Sequence, residues 1–191
     1  GYAPEREHGA EPYRDLVDAV IDKATELDAY IWLDLHWNNA GVWGQYIGQH
    51  KMPDENSITF WQDVAARYKN HPTVMFGLYN KPHNISWDIW LNGGEVSETV
   101  DGEDITYTAV GHQALVDSIR ATGANNIIIA GGIDWGYDLS GILNGFALQG
   151  ENIAYDTHPY PWKNEDWDRY WGDVGEQYPI VGGEWGGTVE E

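Results

Sequence analysis

The sequence predicts an α/β fold built on a parallel sheet, of the (β/α)8 barrel type. Apolar runs as long as a β-strand alternate with segments in which apolar residues recur every three or four positions, as on one face of a helix. The predicted strands are apolar throughout, which indicates that both faces of the sheet are covered. Polar and aromatic residues follow directly after the strands, where a (β/α)8 barrel carries its active site.

The first helix is predicted over residues 11–29, because apolar residues such as Leu16, Val20 and Ala24 recur at helical spacing. The apolar run 30–36 follows at once and is the first predicted strand. The later predicted elements, found in the same way, are helix 55–69, strand 73–79, helix 107–122, strand 126–130, strand 152–157, helix 165–177 and strand 179–182.

Two long segments, 38–54 and 80–105, are predicted loops because they are rich in Gly, Asn and other polar residues. The second helix is expected to begin at Asn56 or Ser57, whose side chains suit a helix N-cap. Gly123 is expected to end the third helix.

The composition fits a single domain over residues 1–191 and excludes several classes of protein. Asp and Glu number 31 against 10 Lys and Arg, which gives a formal net charge of −21. Because such a surface repels phosphate, neither nucleic acid nor an anionic membrane is an expected partner. The acidic excess is typical of a salt-adapted surface or of ordinary solubility through charge. The sequence has no Cys and no membrane-length apolar run, so disulfides and transmembrane helices are not expected.

The aromatic residues are mostly Trp and Tyr, 11 and 12 against 3 Phe. Both combine an apolar face with a polar group, so they suit partly wet surfaces where rings can stack on the C–H faces of sugars. Trp61 has helical spacing and is predicted to lie in the core. Six others follow apolar runs and are predicted at the rim of a cleft, with packing as the alternative: Trp37, Trp43, Trp87, Trp135, Trp162 and Trp185.

Four motifs stand at the ends of predicted strands. They are Leu33-Asp34-Leu35-His36-Trp37, Phe76-Gly77-Leu78-Tyr79-Asn80-x-Pro82, Tyr155-Asp156-Thr157-His158-Pro159-Tyr160 and Gly183-Glu184-Trp185-Gly186. In this order they resemble the strand-end motifs of family 5 glycoside hydrolases, which are retaining (β/α)8 enzymes of the cellulase and mannanase type. The resemblance extends from about residue 13 to residue 187.

This resemblance implies a role for each matching residue. Glu184 is similar to the catalytic nucleophile of the family. The polar residues that would surround the reacting sugar are His36, Asn80, His158 and Tyr160, and the rings that would contact substrate are Trp37, Trp135 and Trp162. The alternative interpretations are core histidines or metal ligands, and packing for the Trp rings. Without Cys or a His-x-x-x-His spacing, neither a metal nor another cofactor is expected.

One motif departs from the family pattern at a position that carries chemistry. The family has Asn-Glu-Pro, whose Glu is the general acid/base, whereas this sequence has Asn80-Lys81-Pro82. Retaining hydrolysis uses two carboxyl groups about 5–5.5 Å apart. An ammonium facing Glu184 would stay charged and occupy the nucleophile, so we expect impaired hydrolysis. The other carboxylates after strands are more typical of loop caps or of sugar hydrogen-bond partners: Asp88, Asp134 and Asp138.

The family barrel has two strands before the first predicted helix and one more after Glu191. We therefore expect a partial, truncated barrel of about five parallel strands with helices, equivalent to strands 3–7 of the family barrel. The two open edges of such a sheet invite pairing with another chain, so we expect self-association with a second copy. The alternatives are that the chain is part of a longer protein, or that loops cover the edges of an open sheet.

Three functions remain open from the sequence. The first is a family-5-like hydrolase for a β-1,4-linked polysaccharide of the cellulose or β-glucan type, impaired at Lys81. The second is a non-catalytic carbohydrate-binding or interaction protein on a decayed cellulase scaffold. The third is new chemistry at Lys81, such as a Schiff base.

We expect a β-linked oligo- or polysaccharide as partner and a secreted location. The remaining histidines are expected only at the surface or in caps: His8, His50, His71, His83 and His112.

Overall fold

A computed structural model of the chain describes residues 10–163 and 165–187. Its longer helices and its strands occur in the order α1 Glu11–Glu26, β1 Ile31–Asp34, α2 Asn56–Tyr68, β2 Val74–Gly77, α3 Trp87–Asn92, β3 Gly93–Val100, β4 Glu103–Val110, α4 His112–Ala121, β5 Ile128–Gly131, β6 Ile153–Thr157 and β7 Ile180–Gly182. Short helical turns occur at Ile133–Gly136, Ser140–Asn144, Asp168–Gly172 and Asp173–Gly175. His8 lies outside the described residues.

The main sheet confirms the predicted fold class. Five strands are hydrogen-bonded in the order β1-β2-β5-β6-β7, and every neighbouring pair is parallel. The sheet is curled and its helices cover it, so it forms the wall of a partial barrel. Because all five strands run the same way, their carboxyl ends meet at one rim, which brings the four strand-end motifs together.

The two outer strands of this sheet, β1 and β7, have no further strand beside them in the part of the chain that the structure describes. The neighbouring helix α1 also exposes an apolar stripe. Tyr13, Leu16 and Val20 lie at helical spacing and are 47%, 59% and 47% exposed. The described chain therefore presents unpaired backbone groups along the outer strands and apolar side chains along α1 to solvent.

The core lies between the sheet and helices α2 and α4. Trp61 of α2 is fully buried, which confirms its predicted place in the core. Its indole nitrogen donates to the carbonyl of Leu78 at 3.0 Å, and its ring packs on Phe76. The polar group of this large side chain is thus satisfied inside the core, as a buried Trp requires.

A β-hairpin replaces part of the predicted loop 80–105 and the start of the predicted helix 107–122, so those boundaries are wrong. Strands β3 and β4 pair antiparallel along their whole length. Asp101 and Gly102 join them with positive φ angles of 52° and 84°, as in the two-residue turns of tight hairpins. In β4, polar and apolar residues alternate with period two, which favours a strand over a helix.

The predicted helix 165–177 is also wrong in extent. The helical residues there run over 167–175, as a π-helical turn at Asp168–Gly172 followed directly by an α-helical turn at Asp173–Gly175. Trp, Tyr and Gly make up five of the thirteen residues of this segment, and they favour a long regular helix less than Ala, Leu or Glu do. The first helix ends at Glu26, three residues before its predicted end.

Three histidines that were expected at the surface or in caps are instead buried: His50, His83 and His112. Burial lowers the pKa of His112 to about 4, so this ring is neutral where it stacks on Trp90. His50 pairs with Glu98 at 2.7 Å and connects the loop after β1 to the hairpin. The expectation failed because buried partners for these rings come from distant parts of the sequence.

Candidate active site

Glu184 lies at the mouth of the curled sheet, two residues after β7. Its Oε1 accepts a hydrogen bond from the Lys81 ammonium at 2.5 Å and another from the Tyr160 hydroxyl. Its Oε2 is 3.7 Å from Nδ1 of His158. Three of the residues singled out from the sequence thus contact one carboxylate: Lys81 follows β2, whereas His158 and Tyr160 both follow β6.

These contacts set the charge state of Glu184. Partial burial raises the pKa of its carboxyl, but the hydrogen bonds from Lys81 and Tyr160 outweigh that effect, and the net pKa lies below its usual range. The same contact acts on the phenol, because the hydrogen bond to Glu184 raises the pKa of Tyr160. At neutral pH, Glu184 is therefore an anion and Tyr160 a neutral donor.

His36 and Asn80 form a second polar cluster at the ends of β1 and β2. Asn80 Nδ2 lies 3.2 Å from His36 Nε2, and His36 Nδ1 lies 2.8 Å from Asp34 Oδ2. Burial raises the pKa of Asp34, the bond to His36 opposes this rise, and the negative charge of Asp156 adds to it. The charge of Asp156, which bonds to His158, therefore acts on Asp34 in this second cluster, although the two clusters have different hydrogen-bond partners.

Asp156 and His158 of the third motif are almost fully buried below Glu184. Asp156 Oδ2 lies 2.7 Å from His158 Nε2, and Asp156 Oδ1 accepts the backbone N–H of Gly183 at 2.7 Å. Sequence reasoning gave no role to Asp156 or to Asp34. The signal was present, because both motifs contain Asp-x-His, which places two side chains on the same face of a strand.

Two of the predicted substrate-contacting rings lie against other rings of the site. Trp162 is 66% exposed and stacks on Tyr160 with 4.5 Å between ring centroids. Trp135 is 40% exposed and stacks on His83 with 3.6 Å between centroids. His83 was missed as part of this site, although it follows the Asn80-Lys81-Pro82 motif directly. Each Trp presents one ring face to a protein neighbour, which fixes its orientation.

The backbone that carries Trp135 is strained. Asp134 and Trp135 have φ angles of 55° and 63°, a region that residues with a side chain rarely adopt. Lys163 holds the turn with an ion pair of 3.0 Å to Asp134, and Trp135 N donates to the carbonyl of Pro82 at 3.0 Å. Strain of this kind persists only where the surrounding structure over-determines it, and it clusters at functional sites.

The remaining predicted rim residues behave differently from one another. Trp37 is 60% exposed beside His36, and Trp185 and Trp43 are also exposed. Trp87 instead packs against Trp90 and Phe146, so the rim prediction is wrong for it and the packing alternative holds.

The other three carboxylates after strands bond to partners of their own. Asp88 accepts from Asn92 at 2.8 Å, Asp134 pairs with Lys163, and Asp138 accepts the backbone N–H of Ser140 at 2.7 Å. Over residues 10–163 and 165–187, no group of three or more His, Asp and Glu side chains is placed to hold a metal ion. Within those same ranges, no helix has the length and apolarity needed to cross a membrane.

The whole chain resembles proteins of known family. The family model described as "Cellulase (glycosyl hydrolase family 5)" matches residues 1–191. An endoglucanase of Paenibacillus polymyxa is 28% identical over an alignment of 205 positions, gaps included, which covers 90% of this chain and 49% of that protein. Endoglucanase Z of Dickeya dadantii is 28% identical over 148 residues, 75% of this chain and 27% of that protein.

Solved structures show the same relationship. The β-glucanase SdGluc5_26A of Saccharophagus degradans superposes with a TM-score of 0.73 at 27% identity, over 96% of this chain and 55% of that one. The same enzyme has also been solved in complex with cellotetraose. The chain thus spans about half the length of the first of these curated relatives and of this β-glucanase.

Proposed function

The chain belongs to the cellulase family, glycosyl hydrolase family 5, and we propose that it binds β-1,4-linked glucans at Glu184 but hydrolyses them weakly. In this proposal Glu184 is the nucleophile and Lys81 stands at the acid/base position. The polar side chains that hold the reacting sugar are His36, Asn80, His158 and Tyr160, and the rings that contact the glucan are Trp37, Trp135 and Trp162.

One observation carries the proposal: the Lys81 ammonium lies 2.5 Å from the Glu184 carboxylate. In retaining hydrolysis, a carboxylate oxygen bonds to the anomeric carbon while the bond to the leaving oxygen breaks. A second carboxyl group about 5–5.5 Å away protonates the leaving oxygen and later takes a proton from water. Lys81 holds the anionic nucleophile in an ion pair and offers no carboxylate to act as the base.

The relatives support β-glucan as the ligand. They are named endoglucanases, and the structurally similar β-glucanase binds cellotetraose. A neutral sugar also suits a chain with a net charge of −21, since an uncharged ligand is not repelled by the acidic surface.

We further propose a secreted location, because a β-glucan polymer cannot enter a cell. Detection of the native protein only in the cytosol would contradict this location.

The Lys81→Glu variant tests this proposal, because it restores the second carboxyl group. We expect hydrolysis of a soluble β-1,4-glucan to rise by ~10²–10⁴-fold, the usual size of general acid–base catalysis. Lys81→Gln is the matched control, since it removes the ammonium without supplying a carboxyl. A folded Lys81→Glu variant that is no more active than Lys81→Gln would contradict the proposal. Adding Glu184→Gln to Lys81→Glu should abolish the gain.

The non-catalytic binding function is the second candidate, and the exposed rings favour it. Trp37 and Trp162 are each more than half exposed, and Trp162 stacks on the Tyr160 ring that bonds to Glu184, so glucan contact does not require a reaction. Binding of cellotetraose with no release of a phenolate from an activated aryl β-cellobioside would support this candidate. The Schiff-base alternative requires a neutral Lys81 amine, and an ammonium bonded to Glu184 has no free electron pair. Borohydride trapping of a carbonyl compound on Lys81 would revive it.

A further inference from the structure

Asp156 is a buried carboxylate that the proposed chemistry does not use. Its residue is 2% exposed, and both of its oxygens are bonded. One lies 2.7 Å from His158 Nε2 and the other 2.7 Å from the backbone nitrogen of Gly183, the residue before Glu184. Its backbone carbonyl accepts the N–H of Gly132 at 3.2 Å. Asp156 thus connects β5, β6 and the end of β7 at a single point below the site.

The bond to His158 determines which ring nitrogen faces Glu184. A carboxylate accepts hydrogen bonds, so Nε2 of His158 carries a proton that it donates to Asp156. The other nitrogen, Nδ1, is buried, has no hydrogen-bond partner among the described residues and lies 3.7 Å from Glu184 Oε2. Nδ1 is therefore the polar atom that this ring presents to the nucleophile.

The bond to Gly183 fixes the backbone at the nucleophile itself. A side chain at position 183 would come within 2.5 Å of the Trp32 ring and 2.6 Å of Asp156 Oδ1. The backbone of Gly183 is therefore held between that ring and this carboxylate, with no room to shift toward either. Glu184 follows directly, so its Cα position depends on the same contact.

We propose that Asp156 is a positioning residue, whose two oxygens orient His158 and hold the backbone of Gly183 so that His158 Nδ1 and the Glu184 carboxylate face each other. Its effect on reaction rests on the proposed function, whereas its effect on geometry does not. His158, which Asp156 orients, faces Oε2 of Glu184, whereas Lys81 bonds to Oε1. Small displacements of reacting groups are costly, so loss of this contact should slow the reaction more than it weakens binding.

Nuclear magnetic resonance of the unaltered protein provides the first test. The ring ¹⁵N signals of His158 should show a protonated Nε2, either with Nδ1 unprotonated or in the doubly protonated ring. A ring protonated only at Nδ1 would overturn the proposal. This measurement requires neither a variant nor turnover, so it decides the matter even if Asp156 variants fail to fold.

The Asp156→Asn variant provides the second test. We expect the Gly183 amide signal to shift and the preference for the Nε2-protonated ring of His158 to be lost. Asp34→Asn is the matched control, because Asp34 bonds to His36 in the other Asp-x-His motif; it should change His36 and leave the His158 tautomer unaltered. A folded Asp156→Asn protein with both wild-type signals would count against the proposal.

Kinetics in the Lys81→Glu background separates positioning from mere stability. With an activated aryl β-cellobioside, Glu184 forms an ester bond to the anomeric carbon and the aryl group leaves as its phenolate. Adding Asp156→Asn should lower kcat by roughly 10- to 100-fold while KM changes less than about threefold. An unchanged kcat would overturn the positioning role. If the Lys81→Glu protein itself releases no phenolate, the proposed function fails and the resonance tests alone judge Asp156.

Discussion

Lys81 and Glu184 lie 103 positions apart in the sequence and form an ion pair of 2.5 Å between their side chains. Both side chains are partly exposed, at 21% and 31%. Water therefore screens the pair, and its contribution to folding should be small, about 1 kcal/mol or less. Urea unfolding of Lys81→Gln should differ from wild type by no more than that. A loss of several kcal/mol would show that the pair is structural, and that its role in blocking the site is secondary.

The pKa of Glu184 should rise in the Tyr160→Phe variant. The phenol hydrogen bond is one of the contacts that lower the pKa of this carboxyl, so its removal leaves the effect of burial less opposed. The depressed pKa contributes stability that is present above the unfolded value and is lost as pH falls through the folded value. Tyr160→Phe should therefore lose less stability between neutral and acid pH than wild type. Equal pH dependence in the two proteins would contradict this.

Trp162 should contribute to glucan binding. Its ring is 66% exposed and is oriented by Tyr160, so it offers a fixed apolar face to a sugar. We expect Trp162→Ala to weaken cellotetraose binding by roughly tenfold in calorimetry. Trp167→Ala is the control, because Trp167 is also half exposed but stacks on Trp171 outside the proposed site. Similar losses from both variants would argue against a specific role for Trp162.

Gly183 should tolerate no side chain. A methyl group there would meet the Trp32 ring and the Asp156 carboxylate, whereas one at Gly182 would meet no heavy atom within 4 Å. We expect Gly183→Ala to destabilise the protein by about 1–3 kcal/mol, as overpacking does. Gly182→Ala, one residue earlier, should have little effect. Equal melting temperatures for the two variants would contradict the described contact.

The stability that the protein gains from the contact of His50 with Glu98 of the hairpin should fall as pH rises above neutral. Burial lowers the pKa of His50, but the hydrogen bond to Glu98 and the carbonyl of Tyr46 outweigh it, and the net pKa is raised. A raised pKa gives stability that is complete below the unfolded value and lost as pH rises through the folded value. Wild type should therefore lose more stability than Glu98→Gln from about pH 6.5 upward. Glu95→Gln, on the same strand but exposed, should behave as wild type in the same melting series.

The 191-residue chain should self-associate in solution. The β1 edge has no partner among the described residues, and the neighbouring helix exposes the apolar stripe of Tyr13, Leu16 and Val20. Light scattering should give a mass above 21.5 kDa that increases with concentration. Leu16→Lys should reduce it, because a charge in the stripe opposes burial. A constant mass of 21.5 kDa would remove this expectation.

The sequence predicted the parts of the fold that depend on local apolar patterns. The five strands of the sheet are apolar runs, and the motifs at their ends contain Glu184, His158 and Tyr160, which lie together in the structure. The hairpin was missed because residues 80–105 are rich in Gly, Asn and acidic residues, a composition that is typical of a loop. An Asp-Gly pair between two alternating segments, as at Asp101-Gly102, is nevertheless the strongest local signal of a hairpin.

The contacts of the site depend on pairs that are distant in sequence. Asp156 bonds to the backbone of Gly183, and His83 stacks on Trp135, yet no local pattern relates the members of either pair. Periodicity reports which face of an element is buried, whereas side-chain partners depend on how the sheet curls. The contact of Lys81 with Glu184 could be expected from a motif position, whereas the contacts of Asp156 follow only from the three-dimensional structure.

Lys81 follows the second strand in the order of the sheet and Glu184 the fifth, so their ion pair joins two separate parts of the rim. A sugar that reaches the carboxylate has to compete with the ammonium for it. Dissolved ions weaken an attraction of this kind while leaving an uncharged ligand unaffected. If a glucan binds at Glu184 as proposed, its affinity should therefore increase with ionic strength, although the sugar itself carries no charge.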